Sequence, residues 1–227
     1  LFFLPILIFI LIIYFGLLAF LFLFLQIGVF AFEQIGIPPG IMFFLLFLTL
    51  IGSGINIPVK RYTTDITMTE KIVRYFGRSY RIPRAFNRNT AVIAVNIGGA
   101  VIPTLLSLFL LIRWPHLLLA NVIAVVFVSI LVHRMARPIR GIGIATPALL
   151  PPVLAALTAL VLQVFFGPHT APIIAYVSGT LGTLIGADLL NIRKISLLGA
   201  PVASIGGAGT FDGIFLTGLI AVILTSL

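Results

Sequence analysis

The chain has 227 residues, of which 61% are hydrophobic and 8% charged, with a mean hydropathy of +1.27. Soluble domains carry about 45–50% apolar residues, so this composition excludes an ordinary globular fold, a coiled coil, a collagen-like repeat and a disordered tail, and predicts an integral membrane protein. Lys and Arg number 14 against 5 Asp and Glu, a net charge of +9, and cysteine is absent, which removes disulfides, thiolate metal sites and cysteine nucleophiles.

Apolar runs near membrane-spanning length then predict seven spans. The first runs from Phe2 to about Leu25, built of Phe, Leu and Ile without a charge. It is too long for a signal-peptide core and lacks a small-residue cleavage site. Leu1 is not Met, so the natural start is expected further upstream. Glu33 and the Pro38-Pro39-Gly40 breaker precede a second span, from Ile41 to about Pro58. Residues 59–89 are the polar stretch of the chain. There Thr67-Met68-Thr69-Glu70 reads as a capping box before Ile72, Val73, Tyr75 and Phe76, with Gly77 as the stop, which predicts a short amphipathic helix. Lys71, Arg74, Arg78, Arg81 and Arg84 around it suit an anionic inner leaflet.

Five further spans are expected from about Thr90 to Ile112, Pro115 to His133, Ile142 to Phe166, Ala171 to Ile192, and Gly209 to Leu227. The fold class that follows is an all-α polytopic bundle: two spans over 1–58, a basic cytoplasmic loop over 59–89 and a five-span core over 90–227. If the spans alternate, the cations of the 60–88 loop fall on one side with Arg134, Arg137, Arg140, Arg193 and Lys194, and Arg113 falls on the other. The positive-inside rule then puts the N-terminus inside and the C-terminus outside. The excess charge is thereby spent on orientation, and the expected partners are the lipid bilayer and its anionic inner-leaflet lipids, not nucleic acid. The expected location is the cell membrane, as a multi-pass protein.

An ionisable group at the centre of a membrane helix costs about 2.5–3.5 kcal/mol or more, so Asp188 and Asp212 need a reason. Asp188 lies in Gly186-Ala187-Asp188-Leu189-Leu190-Asn191, near the inner end of the sixth span, and Asp212 in Gly206-Gly207-Ala208-Gly209-Thr210-Phe211-Asp212-Gly213, at the inner start of the seventh. The two carboxylates therefore sit at similar expected depth across an antiparallel pair. Simpler readings exist: Asp188 pairs with Arg193 or Lys194, although spacings of five and six fit a helix face poorly, and Asp212 caps its helix. Asn56, Asn96, Thr146-Pro147 and Asn191 fall in the same layer, as does the glycine backbone at Gly207 and Gly209, and together they predict a cavity open to the inner side. Gly98, Gly99, Gly179 and Gly182 read as close helix contacts. His116, His133 and His169 lack the spacing of a metal site, no dinucleotide, Walker or nucleophile-elbow motif occurs, and no metal or cofactor is expected.

The stretches His133-Arg134-Met135-Ala136-Arg137-Pro138-Ile139, Gly186-Ala187-Asp188-Leu189-Leu190 and Gly206 to Leu216 resemble the prokaryotic multi-pass membrane family catalogued as domain of unknown function 1614, over roughly residues 50–227. A second, partial resemblance is to presenilin-like and signal-peptide-peptidase-like intramembrane aspartyl proteases. These carry one Asp near the inner end of a helix, another at the inner start of the next, and a Pro-Ala-Leu motif at the start of a third. Asp188, Asp212 and Pro147-Ala148-Leu149 match in depth and direction. The motif precedes the aspartates instead of following them, Asp188 lacks the preceding aromatic residue, and two residues separate Asp212 from its Gly-x-Gly. This resemblance implies Asp188 and Asp212 as a catalytic dyad, with Thr146, Pro147, Ala148 and Leu149 beside a membrane-protein or peptide substrate.

Three functions are thus in view: an intramembrane aspartyl-protease-like hydrolase, a proton- or cation-coupled transporter or channel, and a non-catalytic membrane scaffold. Two close carboxylates share one proton, so one activates water while the other protonates the scissile carbonyl. Membrane carboxylates near broken helices also mark coupling-ion sites, although no internal two-fold repeat is visible in this sequence.

Overall fold

The computed structural model describes residues 3–64, 71–75, 78–82, 89–139, 143–195, 202–207 and 213–227. Helix α1 (Phe3–Gln34) continues well past Leu25, and α2 (Pro39–Ser53) starts on a proline, whose missing N–H is no loss in a first helical turn. Then come α3 (Ile102–Arg113), α4 (Leu118–Met135), α5 (Leu150–Phe166), α6 (Ala171–Thr183), the single turn α7 (Ile192–Ile195) and α8 (Gly213–Ser226). Among the described residues three helices, Ile8–Gln34, Pro115–Met135 and Ala171–Leu189, are long and apolar enough to cross a membrane. Four further apolar helices, Pro39–Ser53, Ile97–Arg113, Leu150–Phe166 and Gly213–Ser226, are shorter.

The all-α expectation needs correction at one end of the bundle. Strand β1 (Asn56–Thr64) pairs antiparallel with β4 (Asn89–Asn96), and β7 (Val202–Ile205) lies parallel on the far side of β4. The third span, expected from Thr90, therefore begins as strand. The run Thr90-Ala91-Val92-Ile93-Ala94-Val95 is apolar enough to read as a span but rich in β-branched residues, and pairing with β1 decides its form. The expected amphipathic helix is corrected as well. Lys71–Tyr75 is strand β2, paired with β3 (Arg78–Ile82), for Ile72, Val73 and Tyr75 favour an extended backbone as much as a helical stripe. Residues 67–70, 76 and 77 of that expectation lie outside the described residues. A last hairpin joins β5 (Arg137–Ile139) to β6 (Gly143–Ala145), and α5 starts only at Leu150.

Helix α6 is the axis of the bundle, buried at every residue from Ala171 to Thr180 and packed against α3, α4, α5 and α8. Glycines set those approaches. A Cβ on Gly182 would meet Val128 of α4 at 2.7 Å, and one on Gly186 would meet the Ser129 carbonyl at 2.5 Å, so two glycines one turn apart let α4 lie against the backbone. On the other flank Gly179 faces the Thr217 carbonyl of α8 and Gly218 faces Thr180 and Tyr176. The outer helices turn apolar residues outward: Phe9, Phe15, Phe20, Phe44, Phe47, Val161 and Val164 are exposed. That distribution suits lipid and would be a liability in water.

Two helices carry π-helical turns at one end, where bonds run i→i+5. The first, Ile97–Val101, links β4 to α3; the second, Leu184–Leu189, ends α6. In the second, Leu190 N–H donates to the Ile185 carbonyl at 2.9 Å. Both turns lie at the end of the bundle that carries the β1-β4-β7 sheet.

Candidate functional site

The sheet end of the bundle gathers polar side chains into a connected set. Asn96, the last residue of β4, accepts a hydrogen bond from Gly99 N–H at 2.8 Å and so caps the first π-helical turn. Its amide nitrogen donates to the Ser53 carbonyl at 2.7 Å and to Asn56 Oδ1 at 3.1 Å. Asn56 Oδ1 also accepts from Ser204 Oγ on β7 at 2.5 Å. β1, β4, β7 and the end of α2 are thereby joined through Asn56 and Asn96, two residues directly opposed in the β1–β4 register.

Strand β7 leads from Ser204 to a turn in which Gly206 has φ of +84° and Gly207 has φ of +92°. Only glycine adopts such angles without strain. Gly206 has a second reason to be glycine, since a Cβ there would come within 2.6 Å of Ala100 Cβ and 2.7 Å of Ala100 N in the first π-helical turn. With the backbone held that close, Gly206 N–H donates to Asp188 Oδ2 at 2.8 Å. Asp188 belongs to the second π-helical turn, so this hydrogen bond ties that turn to Gly206, which itself packs on the first. It also orients the carboxylate.

Beyond Asp188 the set continues to His133. Asn191, fully buried, points its amide nitrogen at the Ala187 carbonyl (3.0 Å), His133 Nδ1 (3.1 Å) and the Gly186 carbonyl (3.2 Å). Lys194 Nζ donates to Asn191 Oδ1 at 2.9 Å. Asp188 thus bonds the Gly206 N–H, and Lys194, one of the two basic residues the simplest sequence reading offered it, donates to Asn191; the Arg193 side chain lies outside what is described.

The residues expected to form the site meet different fates. Asn56 and Asn96 bond each other, Asn191 closes the turn that bears Asp188, and Gly207 shares the left-handed turn with Gly206. Thr146 is half-buried, while Pro147, Ala148 and Leu149 are exposed at the entry to α5, and no hydrogen bond joins them to Asp188 among the described residues. Nearby Ile144 of β6 is the residue of this segment that packs inward, against the cluster of Ile93, Ala100, Leu184, Ile205 and Ile214. Asp212 and Gly209 lie outside the described residues. Ser53, Ser204 and His133 join the set although none was among the residues expected to form the site. Ser204 is placed by a parallel strand pairing across more than a hundred residues, and His133 by the glycine contacts of α4 with α6.

A family model described as Protein of unknown function (DUF1614) matches residues 50–224. No curated protein matches the chain, and no solved structure does.

Proposed function

The chain belongs to the DUF1614 family, and on that premise we propose that it is a multi-pass cell-membrane protein working as an intramembrane aspartyl-protease-like hydrolase, with Asp188 and Asp212 as its two carboxylates. One observation carries this reading: the described residues that flank the Asp212 segment on either side pack in the same small region. The segment follows Ile205, whose neighbour Gly206 bonds Asp188, and precedes Ile214, and both isoleucines pack in one cluster with Leu184, four residues before Asp188. Asp212 is two residues from Ile214 in the chain, a reach of about 7 Å.

In this reading Asp188 is held by Gly206 N–H with one oxygen turned to the substrate, and a proton shared with Asp212 lets one carboxylate activate water while the other protonates the scissile carbonyl. The substrate class is an apolar membrane-anchored polypeptide, for the site lies at the end of a bundle whose outward surface is apolar. The sheet end faces the cytoplasm, the basic 59–89 segment rests on anionic lipid, and the seven apolar helices are seven crossings.

The test is to incubate the protein, reconstituted in liposomes, with a detergent-extracted membrane-protein fraction and to map new polypeptide termini by mass spectrometry. Wild type yields termini within apolar segments, and Asp188→Asn and Asp212→Asn each abolish them. Persistence of the same termini in either variant contradicts the reading.

A second reading, proton- or cation-coupled transport, is favoured by the π-helical turn that ends α6 at Asp188, before the short α7, because broken helices around a carboxylate are how coupling-ion sites are commonly built. It predicts flux driven by a pH or cation gradient in the same liposomes, lost in Asp188→Asn.

A further inference from the structure

We propose that His133 is a proton-operated latch on the π-helical turn that carries Asp188. The inference starts from a count of hydrogens. Lys194 can only donate, and its bond to Asn191 Oδ1 fixes which way the Asn191 amide points. The amide nitrogen then has two hydrogens for three acceptors within 3.2 Å: His133 Nδ1, Gly186 O and Ala187 O. His133 Nδ1 is likewise placed between two partners, Asn191 Nδ2 at 3.1 Å and the Gly186 carbonyl at 3.3 Å.

These two contacts of Nδ1 exclude each other. An unprotonated Nδ1 accepts from Asn191 and offers nothing to Gly186 O. A protonated Nδ1 donates to Gly186 O and cannot accept, so Asn191 gives both hydrogens to the Gly186 and Ala187 carbonyls. Proton arrival thus moves the imidazole's grip from the Asn191 side chain onto the π-helical backbone, which gains one charged hydrogen bond. Gly186 is suited to this because it has no side chain to screen its carbonyl and is pressed against Ser129 and Val132 of α4, two elements of the same contact. The charged groups on the elements that meet here are Arg134 on α4, Arg137 on β5, Arg193 and Lys194 on α7, and Asp188 on the π-helical turn itself.

The consequence is a π-helical turn that is firmer when His133 is charged, and an Asp188 whose position follows the proton on a neighbouring helix. Regulation of catalysis by this latch rests on the reading of Asp188 as a working carboxylate; the latch itself does not, and its test uses no activity.

The experiment is hydrogen exchange of the amides of residues 184–191 in the full chain in lipid nanodiscs, across about pH 5–8, where histidine commonly changes charge, with the intrinsic pH dependence of exchange divided out. Wild type gains protection on the acid side, by about tenfold as expected for one charge-assisted hydrogen bond, and His133→Gln shows no such gain. An equal response in His133→Gln, or none in wild type, overturns the proposal. A measurement that needs no variant guards against misfolding: the ¹⁵N shift of His133 Nδ1 changes from unprotonated at the basic end to protonated at the acid end. A proton on Nδ1 throughout the range overturns the latch, whatever the outcome of any cleavage assay.

Discussion

Gly206 N–H donates to Asp188 Oδ2 at 2.8 Å, and this bond joins the left-handed turn after β7 to the π-helical end of α6. Neither residue could take its place without the other. The carboxylate sits where an apolar helix ends, and the N–H reaches it because Gly206 lies flat against Ala100. Replacing Gly206 by Ala strains a φ of +84° and drives a Cβ into Ala100, so the whole sheet end must shift. Gly206→Ala is expected to lower stability by about 2 kcal/mol or more, read as a fall in the unfolding midpoint in detergent. An unchanged midpoint would count against this turn as a fixed part of the fold.

Stability and the proposed chemistry at position 188 are expected to separate. In Asp188→Asn the amide oxygen can still accept from Gly206, so the fold is expected to hold within about 1 kcal/mol of wild type. Asp188→Ala leaves that N–H without its acceptor and costs about 1–3 kcal/mol. On the proposed reading both variants are expected to lose cleavage. Thermal unfolding of the two beside the cleavage assay decides it; a destabilised Asp188→Asn would mean that the negative charge itself holds the turn.

Asn96 ties three groups: the Ser53 carbonyl, Asn56 Oδ1 and Gly99 N–H. Asn96→Asp keeps the cap on Gly99 but loses the donor to the other two, and Asn96→Ala loses all three. Asn96→Ala is expected to lose about 1 kcal/mol or more per lost buried bond, and Asn96→Asp, whose buried carboxylate would face the Ser53 and Asn56 oxygens, to lose at least as much at neutral pH. An unchanged midpoint in Asn96→Ala would remove these bonds as contributors.

Much of this was legible in the sequence, and the parts that were not have physical causes. Helix α6 and its glycines could be read directly, because an apolar run with small residues one turn apart describes a helix packed on all sides. The strand character of Thr90 to Asn96 could not, since a continuous apolar run of β-branched residues suits a buried strand and a membrane helix equally, and the choice fell to β1, some thirty positions earlier. Asp188 stood out because a carboxylate in an apolar helix is costly, yet its partner was hidden: a backbone N–H leaves no trace in a side-chain pattern. His133 could be named from the sequence but its partner could not, for the same kind of reason, as its contact with Asn191 comes from the packing of α4 on Gly186. The Pro147-Ala148-Leu149 resemblance drew attention to exposed residues at the α5 entry, while the inward contact is made by Ile144.

The chain has no cysteine, so orientation can be measured one introduced thiol at a time. With the sheet end facing the cytoplasm, Arg137→Cys and Lys194→Cys are expected to resist a membrane-impermeant maleimide added outside intact cells, and Arg113→Cys and His169→Cys to react with it. The four positions divide between the two ends of the bundle. Reaction of Lys194→Cys from outside would invert the proposed topology.

The absence of native cysteine also gives the most direct test of the paired carboxylates. In an Asp188→Cys/Asp212→Cys double variant a disulfide forms under mild oxidation only if the Cα atoms come within about 7 Å. Arg61→Cys with Val92→Cys, opposed in the β1–β4 register at the same end of the bundle, reports that the oxidant reaches the site and that the fold is intact. The account predicts that both pairs cross-link in the membrane, seen as a mobility shift reversed by reductant. Cross-linking of the strand pair alone would contradict it, for Asp188 would then be a clasp for Gly206 and nothing more.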